Sequence, residues 1–243
     1  MPEVVVAVAH GSADPRASAT IAELAAVARE RSPGLDLRTA FLGHAPPSLP
    51  QVLSTIDPDR EVTVLPLLLT AAYHSKADIP RMLARTPRPR VSYGATLGPH
   101  PLLLRALERR LAEADPGAGQ NPGQTAVVLA AAGSSDPAAN AVIARLAARW
   151  QAKAGWFAVR PGYASAAEPS PAAAVTGLLR AGAPRVVVAT YLLAPGLFAD
   201  RIRRSTVAAG AAAVSPALGA CAEVADVLLE RFAETGSTRR TAA

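Results

Sequence analysis

The chain has 243 residues, 50% of them hydrophobic and 18% charged, with a formal net charge of +6. Such a composition supports one large or two small buried cores, and a sequence pI of about 10.2 favours acidic partners. The single cysteine, Cys221, excludes an internal disulfide and a cysteine-rich metal site. Only 4% of residues are aromatic and no basic run is interleaved with rings, which disfavours nucleic acid. No apolar run approaches the roughly 20 residues of a membrane span. Met1-Pro2-Glu3 lacks a basic segment ahead of the first apolar run, so the expectation is a soluble cytoplasmic protein without a secretory leader.

The first apolar run, Val4-Val5-Val6-Ala7-Val8-Ala9, reads as a buried strand and ends at His10. His10-Gly11-Ser12-Ala13-Asp14-Pro15 follows, with Asp14 as helix N-cap and proline at the first helical position. Ile21, Leu24 and Ala28 then form the apolar face of a helix. A further apolar segment ends at Phe41-Leu42-Gly43-His44. Residues 62–69 give another strand, linked through Thr70-Ala71-Ala72-Tyr73 to His74, and a helix pattern runs from Leu102 to Leu111. Residues 114–123 form a turn-rich linker.

The pattern then repeats. Ala132-Gly133-Ser134-Ser135-Asp136-Pro137 echoes residues 10–15 after a second strand, and Val142, Leu146 and Trp150 supply the helix face. Residues 64–74 find their parallel in 188–198, and Leu97-Gly98 in Leu218-Gly219, followed by a helix over 224–232. Two similar α/β domains with parallel sheets are expected, over 1–115 and 124–233, with a polar, frayed tail at 234–243.

The halves differ in their chemistry. His10 becomes Ala132, His74 becomes Phe198 and His100 becomes Cys221, so all four histidines lie in the first half. Side chains at the carboxyl ends of parallel strands are where ligands bind in such sheets. Imidazole at that place can hold a borderline metal ion or move a proton near neutral pH. His10 and His74 are therefore the leading site residues, His44 is a candidate beside them, and His100 at a helix start reads as structural. Arg16, Lys76, Arg81, Arg85, Arg201, Arg203 and Arg204 follow the ends of site strands and could clamp carboxylates. A G-x-G-x-x-G turn, a Walker A loop and an H-E-x-x-H helix are all missing. A one-histidine hydrolase or phosphotransferase would want arginine before its histidine, where Ala9 stands.

Taken together, His10-Gly11-Ser12, residues 66–80 and residues 191–202 resemble the sirohydrochlorin chelatase family, the ATP-independent class II metal chelatases of sirohaem and cobalamin biosynthesis. The resemblance is to the long form with two fused homologous halves, and it extends from about Val4 to Phe232. It implies two three-layer α/β/α domains of chelatase type, related by duplication and facing a central cleft. The implied activity is insertion of a divalent metal, Fe²⁺ narrowly ahead of Co²⁺ with Ni²⁺ a third candidate, into sirohydrochlorin, a tetrapyrrole carrying eight carboxylates. No organic cofactor, nucleic acid or membrane is implied, and the chain is expected as a monomer or weak homodimer. The family's metal-handling histidines fall on His10 and His74, which would also relay the pyrrole protons. Its third metal-site residue, a glutamate, falls on Gly43, with His44 the neighbouring substitute. Ser12, Arg16, Tyr73, Lys76 and Arg201 are the expected substrate contacts. The missing carboxylate at Gly43 leaves one rival, a non-catalytic carrier of metal or tetrapyrrole.

Overall fold

A computed structural model describes residues 3–86, 88 and 90–242, with side chains through 237. Each half builds a four-stranded parallel sheet. In the first, the strands β1 (Val4–Ala9), β2 (Asp36–Phe41), β3 (Val62–Pro66) and β4 (Val91–Tyr93) lie in the order β2-β1-β3-β4. The central pair is buried at every residue, as apolar strands are when helices cover both faces, and the one polar member, Thr63, donates its hydroxyl to Glu3. Val4 lies opposite both Asp36 and Val62, and Val8 opposite Pro66, so β1 and β3 end side by side.

Helices α1 (Pro15–Arg31), α2 (Leu49–Ser54), α3 (Ile79–Arg85), α4 (Pro101–Ala114) and α8 (Ala222–Ala242) accompany this sheet in the sequence or in space. Val4, Val6, Val8, Val62 and Val64 pack with Leu49, Val52 and Leu53 of α2 and Ile79 of α3. Helices α1 and α8 pack on one another, and α8 also on β3. Asp14 caps α1 by accepting from the Arg16 amide, and Pro15 opens the helix, as the sequence predicts.

The second sheet repeats the order with β5 (Thr125–Ala131), β6 (Ala158–Tyr163), β7 (Arg185–Tyr191) and β8 (Ala213–Val214), arranged β6-β5-β7-β8. Its helices are α5 (Pro137–Ala154), α6 (Pro171–Arg180) and α7 (Leu197–Ala208). Asp136 and Pro137 repeat the cap. The buried face of α5 runs through Ala139, Ile143, Leu146, Ala147 and Trp150, so Ile143 takes the place expected for Val142.

The compact units do not follow the sequence repeat at its ends. One unit comprises residues 1–102 and 219–243, the other 103–218, in place of the expected 1–115 and 124–233. The reason lies in what each last helix buries. Helix α8 buries Val224, Ala225, Val227 and Leu228 in the first unit. There Arg31 pairs with Asp226 at 2.6 Å, and Arg231 donates to the Thr96, Leu97 and Pro99 carbonyls. In the second unit, Glu108 of α4 accepts from the Trp150 indole at 3.1 Å, and Arg110 donates to the Leu218 carbonyl. Over the stretch expected as a frayed tail, α8 continues to Ala242. Arg231–Glu234 and the Thr235 and Ser237 hydroxyls, bonded to carbonyls one turn back, tie this stretch together.

Two glycines shape the loops after the central strands. Gly11 has φ +87°, and a Cβ there would lie 1.7 Å from the Gly43 carbonyl oxygen. Gly133 repeats this with φ +85° and 2.0 Å to the Ser165 oxygen. Neither place accepts a side chain without moving backbone. Gly11→Ala and Gly133→Ala are each expected to lose about 2–4 kcal/mol in urea unfolding, the range for strain compounded by overpacking; a loss below about 1 kcal/mol would contradict this reading.

Asp36, at the start of β2, lies between Arg38 at 3.1 Å and Arg60 at 2.8 Å. The hydrogen bond from Arg38, with help from Arg60 and against partial burial, holds its carboxyl below the usual carboxylate range. Because the folded value is the lower one, the stabilisation is complete above the unfolded value of about 3.9 and is lost as pH falls through the folded value. Asp36→Asn should cost about 1 kcal/mol at pH 7 and flatten the acid limb of the stability profile below about pH 4, measured by denaturant titration at stepped pH.

Candidate metal and substrate site

Strand order places the site. In the order β2-β1-β3-β4 the chain leaves β1 toward one edge and returns to build β3 on its other side, so the loops after β1 and β3 part around a crevice. His10 follows β1 directly, and His74 opens the helical segment after β3. Their Nε2 atoms lie 3.2 Å apart and their rings meet edge-to-face, with centroids 4.5 Å apart.

The far side of each ring fixes its tautomer. His10 Nδ1 lies 3.0 Å from the Gly11 carbonyl and His74 Nδ1 lies 2.7 Å from the Asp78 carboxylate. Both partners are acceptors, so each Nδ1 carries the proton and donates it. In the neutral rings the two Nε2 lone pairs then face each other. That arrangement is repulsive until a cation, either a proton or a metal ion, sits between them.

The His74 ring is held by an unusual turn. Residues His74–Asp78 form a single π-helical turn that runs into α3. The Ile79 amide reaches the His74 carbonyl five residues back, and the Ser75 carbonyl, its α-helical alternative, is left to another donor. Ser75 is buried; its hydroxyl accepts from the Ala72 amide and donates to the Ala72 carbonyl. Tyr93 at the end of β4 donates to the Ser75 carbonyl at 2.8 Å. Burial pushes the Tyr93 phenol up to about 12, so it remains a donor across the neutral range. Asp78, Ser75 and Tyr93 were not singled out by sequence. The four-residue spacing of His74 and Asp78 was the available signal for the first of them.

His44 is brought close but does not complete a triad. The loop carrying it is zipped to the His10 loop by the Leu42 amide on the Ala9 carbonyl and the Gly43 amide on the His10 carbonyl. His44 adopts φ 62°, and its ring lies nearly parallel to His10 at 6.3 Å between centroids. Among the described residues no group of three His, Cys, Asp or Glu side chains is assembled to hold a metal ion. Space at Gly43 is open, with nothing within 4 Å of where a Cβ would stand.

The expected substrate contacts take different places. The Ser12 hydroxyl accepts from the Asp14 amide and so shapes the loop. Arg16 is engaged by Asp14 through Nε at 3.0 Å and Nη2 at 2.6 Å, and this pairing lowers the Asp14 carboxyl. Tyr73 is 56% exposed, with its ring 6.0 Å from that of His74, and Lys76 is exposed on the same turn. Arg201 belongs to the second unit, where its guanidinium lies 5.9 Å from the Phe198 ring centroid. His100 Nδ1 accepts from the Leu102 amide, and its Nε2 lies 3.0 Å from Glu230.

The chain is 28% identical over 204 residues to the sirohydrochlorin cobaltochelatase of Priestia megaterium, covering 82% of this chain and 66% of the relative. It is 29% identical over 146 residues to the sirohydrochlorin ferrochelatase of the same organism, covering 58% and 54% respectively. It thus spans about two thirds of the length of the first relative and about half of the second. The fold matches that of SirB from Bacillus subtilis with Fe³⁺, with a TM-score of 0.83, 24% identity and coverage of 99% and 98%. Residues 4–114 and 126–235 each match the sequence profile of the CbiX family. Two successive matches spanning nearly all of both repeats place the chain in the CbiX family.

Proposed function

We propose that this chain is a sirohydrochlorin chelatase, exchanging two pyrrole N–H protons of the macrocycle for Fe²⁺ or Co²⁺. The observation that carries the reading is the facing of two imidazole Nε2 atoms, 3.2 Å apart, beyond the carboxyl ends of the neighbouring strands β1 and β3. For metal–nitrogen bonds of about 2.1 Å that separation subtends roughly 100° at an ion, between tetrahedral and octahedral angles. Imidazole suits iron and cobalt, and two ligands leave positions open to water and to incoming pyrrole nitrogens. A fuller cage would hold the ion too firmly to hand it on.

The exchange balances as one divalent ion entering the macrocycle and two protons leaving it. As the ion moves to the pyrrole nitrogens, each Nε2 regains a free lone pair at the place where a proton is being shed, and accepts it. Asp78 keeps the His74 proton on Nδ1, which preserves Nε2 as the ligating atom and strengthens it as a donor to metal. In this reading His44 stands beside the pair, and Tyr73 and Lys76, on the turn that carries His74, lie where the acidic rim of the substrate would be held. The chain acts without an organic cofactor, in the cytoplasm, as a monomer or weak homodimer.

One observation favours a second reading, a carrier that binds metal or tetrapyrrole without turnover: Gly43 supplies no carboxylate, and among the described residues no third His, Cys, Asp or Glu side chain joins the histidine pair. Turnover separates the two. In anaerobic spectrophotometry of sirohydrochlorin with Fe²⁺ or Co²⁺, the wild-type chain should convert many equivalents. His10→Ala and His74→Ala should each lower the rate at least about 100-fold toward the spontaneous reaction. Saturation at one equivalent per chain would establish the carrier instead.

Asp78→Asn should weaken Co²⁺ binding to the histidine pair by about 10–100-fold, as loss of an outer carboxylate partner does. Asp78→Glu should restore part of it, and ¹⁵N shifts of His74 should report a mixed tautomer in the asparagine variant alone. An unchanged affinity and tautomer would remove Asp78 from the site.

A further inference from the structure

The cations near the histidine pair differ in what already neutralises them. Arg16 is committed to Asp14 through a two-pronged contact. Arg81, on the first turn of α3, has a different partner. Its Nη1 donates to the Tyr73 hydroxyl at 2.9 Å, and its guanidinium carbon lies 5.8 Å from the Tyr73 ring centroid. Tyr73 is neutral, and no acid pairs with Arg81 among the described residues. The charge of Arg81 is therefore uncompensated while its position is fixed by a ring and a hydroxyl.

Fixation matters because a guanidinium loses less freedom on binding when it is already held, and its planar fork matches a carboxylate. One N–H is used by Tyr73; the others remain available to a ligand. Arg85 lies one turn further along the same helix and is also exposed, adding positive charge beside it. Tyr73 itself joins the two chemistries. It precedes His74 in sequence and its ring stands at 75° to the imidazole, with more than half its surface open. Along this part of the first unit the order is thus metal-binding nitrogen, exposed aromatic surface, fixed cation. A planar macrocycle with nitrogens at its centre, apolar ring edges and carboxylates at its rim presents the same order.

We infer that Arg81, braced by Tyr73, is the carboxylate clamp of this site and determines its preference for a macrocycle with an acidic rim. The inference rests on the chelatase reading and deepens it, since it moves the clamp from Arg16, already engaged, to Arg81.

Binding of metal-free sirohydrochlorin, followed by anaerobic absorbance titration at low and high salt, tests the clamp apart from turnover. Arg81→Ala should weaken binding about tenfold at low salt and lose part of the salt dependence. Arg81→Lys, which keeps charge without the fork, should recover part of the loss, and Tyr73→Phe should show a smaller loss. Arg149→Ala, the same charge change on an exposed part of α5, should stay within about twofold of wild type. Co²⁺ binding without macrocycle should be unchanged in every variant, which separates a lost clamp from a damaged metal site. Wild-type binding matched within about twofold by Arg81→Ala, with equal salt dependence, would overturn the clamp and leave the chelatase reading standing. No binding by the wild-type chain would overturn that reading and the clamp with it.

Discussion

The parallel pairing of β1 with β3 is the constraint from which the site follows. Their register, Val4 on Val62 through Val8 on Pro66, makes the two strands end together. Each strand is buried along its whole length, so a slip in register would move an entire apolar set out of its layer. The core thereby fixes the relative height of two loops that share no sequence proximity. His10 and His74, 64 positions apart, meet at 3.2 Å because the hydrophobic interior aligns the strands that carry them.

What the core brings together, polar contacts then orient. The Gly11 carbonyl and the Asp78 carboxylate each hold an Nδ1 proton, and the result is two unprotonated Nε2 atoms 3.2 Å apart. Such a pair is unfavourable by itself and becomes favourable with a cation between its members. The π-helical turn at His74 serves the same end: it is closed by the Ile79 amide on the His74 carbonyl, stapled by Ser75 and backed by the Tyr93 phenol.

The second unit shows how much of this is scaffold and how much is chemistry. It keeps the strand order, the capped helix, the left-handed glycine at 133 and even the left-handed residue, Ala166 at φ 56° where the first unit has His44 at φ 62°. The Ser165 amide bonds the Ala132 carbonyl just as the Gly43 amide bonds that of His10. The paired loops that carry His10 and His44 are therefore present twice, with imidazoles on one copy, whereas the π-helical turn of His74 has an α-helix, α7, in its place in the second unit. Loop conformation here is a property of the fold, and ligand chemistry is a property of the few side chains placed on it.

Much of this architecture was legible in the sequence. The apolar runs, the Asp-Pro caps and the internal echo specified two parallel-sheet halves, because strand burial and helix capping are local and short-range. His10 and His74 were legible as well, since both follow strands and have no counterpart in the second half. The distribution of the last helices was not legible: α4 and α8 read as the ends of their own repeats, and which sheet an amphipathic helix covers depends on surfaces formed by distant residues. Nor was the role of Arg16 and Arg81, whose charges look alike in a sequence and differ only through Asp14 and the Tyr73 hydroxyl. His44 and Asp78 exchanged importance for a similar reason, because a backbone turn decides where a ring points and spacing alone does not. The sequence by itself determined the repeated elements and the imidazoles, which periodicity and residue type encode. Tertiary structure decided their distances, partners and tautomers, which arise only when strands far apart in the chain are packed into one register.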